Sequence, residues 1–124
     1  MNDAWLEPFR SPSVWGVTDC VEFVRSWARN VHGRELPRPV GLVESLSSRT
    51  PQQLFGLWEK ELHCAGFIRA EPGEVVLVER VHMLCVAVWV DPEYILRIPQ
   101  GIRPARGYIR RGYILRPENT EPIR

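Results

Sequence analysis

A chain of 124 residues, 44% apolar and 25% charged, is long enough to bury one core without covalent staples. Its formal net charge of +1 excludes a global field that would draw it to nucleic acid or an anionic membrane. Three cysteines, Cys20, Cys64 and Cys85, are odd in number and lack metal-ligand spacing, which argues against a disulfide framework and leaves at least one free thiol.

Residues 1–14 carry Pro8 and Pro12 among scattered aromatics and predict an arm over the first helix, with Trp5 and Phe9 as contacts. This N-terminus has no basic segment followed by an apolar run, so no secretory signal is expected. Trp15-Gly16-Val17-Thr18-Asp19-Cys20 then opens a helix. Asp19 is placed to cap it, and Glu22 three residues on would complete a capping box. Cys20, Phe23, Val24, Trp27, Ala28 and Val31 recur at helical spacing, and Gly33 supplies the stop. A thiol on the first turn lies in the positive end of the helix dipole, which favours thiolate. A free cysteine also packs as a small hydrophobe, so the helix alone leaves both roles open for Cys20.

Residues 34–49, with Pro37, Pro39, Gly41 and a Ser-rich run, predict a loop with a short helical turn at 42–46. Thr50-Pro51-Gln52-Gln53 is a strong second helix start, followed by Leu54, Leu57, Trp58 and Leu62 and ended by Gly66. His63 on its last turn reads as a surface or capping residue.

After Gly66 the period becomes extended. Phe67–Arg69 predicts a short strand or connector, Val75–Val78 a brief strand, and Val81–Val90 a long one after a tight Glu79-Arg80 connection. Asp91-Pro92-Glu93 turns the chain into Tyr94–Ile98, and Pro99-Gln100-Gly101 breaks that strand. Tyr108-Ile109 and Tyr113–Leu115 predict two last strand pieces around Arg110-Arg111-Gly112, before a loose polar tail. The longest apolar run, Met83–Val90, falls far short of the ~20 residues a membrane helix needs. Helices followed by closely connected strands predict an α+β domain, with helices on one side of an antiparallel sheet of four to five strands. The division is an arm (1–14), one domain (15–116) and a tail (117–124).

A nucleophilic cysteine needs a base within hydrogen-bond reach. His32 lies at the far end of the first helix, ~18 Å from Cys20 at 1.5 Å per residue. His82, at the start of the long strand, is the one plausible partner, because the mouth of a strand can lie against the N-terminus of a packed helix.

Trp15-Gly16-x-x-Asp19-Cys20 opening a helix, then Pro72-Gly73-Glu74-Val75-Val76-Leu77-Val78, then His82 heading an apolar strand, resembles the NlpC-type cell-wall peptidases of the papain-like superfamily. The resemblance is greatest to small members encoded in the tail modules of bacteriophages, prophages and gene transfer agents, and it covers residues 15–116. It implies a papain-like fold with Cys20 as nucleophile and His82 as general base. The oxyanion hole would be the backbone N–H of Cys20, with the side chain or backbone of a preceding residue such as Asp19. Gly73-Glu74 stands where the family has a Gly-Asp turn. The third, orienting residue departs from the pattern: Tyr94–Ile98 offers only Tyr94 and Arg97, and Gln100 just beyond is the candidate. An arginine beside His82 would disfavour imidazolium.

The function implied is cleavage of peptidoglycan stem peptides during cell-wall penetration, by a chain made in the bacterial cytoplasm and carried in the virion tail. The alternative is a catalytically inactive adaptor of the tail tip built on the same fold. The expected partners are other tail proteins, and peptidoglycan if the chain is active; no membrane, cofactor or metal is expected. A weaker third possibility is nucleic-acid binding by Arg103–Arg116, where Tyr108 and Tyr113 interleave with arginines; charge neutrality and the lack of a motif weigh against nucleic acid.

Overall fold

The structure, a computed structural model, describes residues 3–38, 50–80 and 83–117. The arm is a 3-10 helix, Ala4–Arg10, whose Leu6 and Phe9 are buried in the main core. Helix α1 spans Cys20–His32. Its last turn is closed by Gly33 in the left-handed region (φ 66°), a conformation that costs a side chain but not a glycine. Helix α2, Pro51–Cys64, carries a complete capping box between Thr50 and Gln53 with Pro51 in its first turn, as its sequence predicts. The predicted turn at 42–46 lies outside the described residues.

Six strands follow: β1 Phe67–Arg69, β2 Val75–Arg80, β3 Met83–Val90, β4 Glu93–Ile98, β5 Gly101–Pro104 and β6 Tyr108–Leu115. They form one antiparallel sheet in the order β1-β6-β2-β3-β4-β5. The expected α+β architecture is present, but the sheet has six strands rather than four or five. β5 escapes sequence reading because it is short, ends in proline and follows a turn signal, all of which suit an edge strand. The two expected final pieces are one strand. Leu77 pairs with Arg111 and Val78 with Ile109, so β6 carries an extra residue there and bends without breaking.

Side chains alternate across the sheet, and both faces are buried. On one face Val75, Leu77, Leu84, Val86, Val88 and Val90 meet Val21, Val24 and Trp27 of α1 and Leu54, Trp58 and Leu62 of α2. On the other, Val76, Val78, Cys85, Ala87, Leu96 and Ile98 form a second core that includes no helix residue. Curvature closes it. Four strand spacings separate β6 from β5, ~19 Å in a flat sheet, whereas the chain from Pro104 to Tyr108 reaches ~14 Å at most. The sheet therefore curls into a partly closed barrel. Ala105 of the crossing packs on the second core, and Gly107 lies so close to the Glu79 carbonyl that a Cβ would stand 2.8 Å from it. Burial on both faces is why β3 reads as an unbroken apolar run.

Candidate active site

Helix α1 packs on β3 and β4, and its first residue is Cys20. The turn leading into it is fixed by short local bonds. Gly16 (φ 76°) makes the bend, Val14 N–H donates to Thr18 Oγ1 at 3.0 Å, and Gly16 N–H donates to Asp19 Oδ2 at 2.7 Å. Asp19 caps α1 as expected, accepting from Glu22 N–H at 2.9 Å. The reciprocal half of the predicted box is replaced. The Glu22 carboxylate instead takes Arg25 at 2.7 Å and Arg38 at 3.1 Å, because two guanidiniums outbid one backbone N–H. Arg38 also pairs with Asp19 at 2.7 Å, and Arg25 Nε donates to the Leu36 carbonyl at 2.8 Å. The segment after α1 is thereby tied back to the helix start.

The Cys20 thiol does not follow the dipole expectation. Burial and then the neighbouring Asp19 carboxylate push it up to about 12, although the backbone N–H groups of Cys20 and Val21 pull the other way. A half-charge at a helix end is smaller than the cost of burying a full anion beside another. Asp19 itself is held below the ordinary carboxylate range. Its burial acts against this but is outweighed by Arg38 and the Glu22 and Gly16 N–H groups. Of the oxyanion candidates, Cys20 offers a first-turn backbone N–H free of helix bonding. The Asp19 side chain is an ionised acceptor and has no proton to donate, so Asp19 could contribute only through its backbone.

Cys20 packs at the edge of the helix-side core, whereas Cys85 of β3 belongs to the core on the other face of the sheet. His82 lies outside the described residues. Gln100 sits in the exposed turn between β4 and β5, whereas β4 presents Arg97, beside Ile95, on the helix face. Tyr94 points to the opposite face and donates to the Gly73 carbonyl at 2.5 Å. Arg97 is only 3% exposed. It donates to the Thr18 carbonyl through Nη2 (2.6 Å) and Nε (3.1 Å), and through Nη1 to the carbonyls of Phe9 and of Ser11 (3.2 Å). Its charge also lies over the Phe9 ring, 5.4 Å from the centroid. Burial lowers its pKa, while Cys20 and Asp19 act in the opposite sense.

The other histidines are elsewhere. His32 pairs with Glu74 at 3.3 Å and packs against Trp27, and His63 is exposed at the end of α2. All three cysteines are free, and among the described residues no group of three potential ligands could hold a metal. No helix of the described residues is long and apolar enough to cross a membrane.

A second polar cluster is marked by no motif in the sequence. Glu59 of α2 receives Arg69 at 2.6 Å, Tyr113 Oη at 2.8 Å and Arg111 at 3.4 Å, and Arg110 stacks on Phe55 at 4.3 Å. The only local signal is an acidic residue on α2 one turn from Phe55. The arginines of β6 are thus engaged in holding α2 to the sheet, which leaves less free charge for a polyanion than their number suggests. Comparison of the chain with protein-family models, curated proteins and solved structures gave no match.

Proposed function

We propose that the chain is a peptidase-like protein of a bacteriophage tail module that hydrolyses peptidoglycan stem peptides, with Cys20 as nucleophile. The observation that carries this reading is the seat of Cys20: first residue of a capped helix that packs on β3 and β4 of an antiparallel sheet. The resemblance of Trp15–Cys20, Gly73-Glu74 and His82 to NlpC-type peptidases supplies the chemistry. Sγ would attack the peptide carbonyl as His82 takes the thiol proton. The developing oxyanion would face the Cys20 N–H, the amine would leave with the proton, and water would cleave the thioester. A thiol raised this far is protonated at neutral pH, so proton removal must accompany attack. Cys20→Ala is expected to abolish lysis of purified cell walls by the isolated protein; undiminished lysis would rule Cys20 out.

One observation favours a second reading, an inactive adaptor of the tail tip using the same fold. The strand after β3 offers Arg97, bound to backbone carbonyls, where a peptidase would carry a group to orient its histidine. On that reading Cys20→Ala particles would assemble and infect like the parent.

A further inference from the structure

Arg97 carries more than a structural consequence. Its bonds go to three carbonyl oxygens and to no carboxylate, so its charge is buried without a direct ion-pair partner among the described residues. The charged groups around the α1 start are Asp19 and Glu22 on the helix side, Arg25 and Arg38 facing them, and Arg97 from β4. Arg38 bonds both carboxylates and Arg25 bonds Glu22, so the pairs at the helix start are complete without Arg97. From β3, Cys85 lies on the other face of the sheet and acts on Cys20 only at longer range, as Arg80 does on Cys85. Among the described residues two carboxylates therefore meet three guanidiniums, and Arg97 feels Asp19 only at longer range, without a direct ion pair. The titratable group beside it that becomes an anion on losing its proton is Cys20.

We propose that Arg97 is the counter-charge of the Cys20 thiolate: a positioning residue that grips the Thr18 carbonyl and so holds a buried cation beside the sulfur. This deepens the nucleophile reading, since it takes Cys20 as the reacting group, and it gives the arginine a role an orienting polar residue would not have. The attraction is mutual. Cys20 favours charged Arg97, and charged Arg97 must equally favour ionised Cys20, against the burial that opposes both.

The test is the pH-dependent rate of Cys20 alkylation by iodoacetamide, a neutral probe, read by peptide mass spectrometry in the full chain carrying Cys64→Ser. Loss of the guanidinium in Arg97→Met should slow alkylation at pH 8 by at least ~10-fold, one unit of thiol pKa. Arg97→Lys should stay within ~3-fold of the parent, because an ammonium keeps the charge while losing the bidentate grip. Circular dichroism confirms that each variant is folded. A folded Arg97→Met chain alkylating at the parent rate overturns the proposal. So does a folded Arg97→Lys chain slowed ~10-fold, which decides the matter even where Arg97→Met does not fold. Cell-wall lysis is not read in this experiment, so the charge assignment and the peptidase reading fail separately.

Discussion

Asp19 has two duties at one carboxylate. As a cap it satisfies backbone donors, and as a charge it holds Arg38 across the start of α1. The two are separable by substitution. Asp19→Asn keeps an acceptor for the Glu22 N–H and loses the ion pair, whereas Asp19→Ala loses both and should cost a further ~1 kcal/mol in urea unfolding. Because the folded carboxyl sits below its unfolded value, the stability it contributes is present above the unfolded pKa and is lost as pH falls through the folded one. The parent's advantage over Asp19→Asn should therefore be full at pH 6 and shrink below about pH 4. An advantage independent of pH would show that the ion pair adds nothing. Arg97 at the same scale shows what sequence hides. Nothing local in Tyr94–Ile98 marks an arginine for burial. The one available signal is period two: Leu96 and Ile98 share a face with Tyr94, leaving Arg97 on the helix side with Ile95.

At the scale of elements, helix ends were legible because caps act within four residues. Thr50 with Gln53, Asp19 and Gly33 each mark a boundary that the backbone obeys. Strand boundaries depend on partners far along the chain. The Arg110-Arg111-Gly112 stretch reads as an interruption, yet it stays in β6 because the backbone pairs on both sides and Gly112 allows close approach. The glycine of the Gly73-Glu74 turn has a similar reason. A Cβ there would collide with the Tyr113 amide nitrogen and stand 2.7 Å from Gly112 Cα. Gly73→Ala should thus lower stability by ~2 kcal/mol or more, as backbone must move. Gly56 offers the opposite case: it is exposed in α2 with nothing within 4 Å of an added Cβ. Gly56→Ala should raise stability by ~0.5–1 kcal/mol through helix propensity. Thermal or urea unfolding of the pair measures both signs, and a stabilising Gly73→Ala would contradict the packing described.

For the whole molecule, the strand order matters more than any single contact. α1 and α2 cover one face, the curled sheet closes the other, and the nucleophile candidate stands at the start of α1, at the edge of the core between helices and sheet. Fold class was readable because the helical and extended segments are separated along the chain. The curl was not, since it follows from a three-residue crossing whose shortness matters only once the strand order is known.

That order has a consequence for synthesis. β6, the last of the six strands in chain order, lies between β1 and β2, so the β1–β6 and β6–β2 pairings wait until Leu115 has emerged. A nascent chain can form α1, α2 and the β2–β5 meander, but it cannot join β1 to the rest of the sheet. Pairings this distant along the chain slow folding and leave unpaired strand edges exposed in the interval. A chain stopped after Pro104 should therefore lack a cooperative unfolding transition by circular dichroism, although it retains both helices and five of the six strands; a sharp two-state melt would show that the meander is a folding unit in its own right. On the ribosome these strands are expected to acquire their fold only once β6 has emerged, all at once.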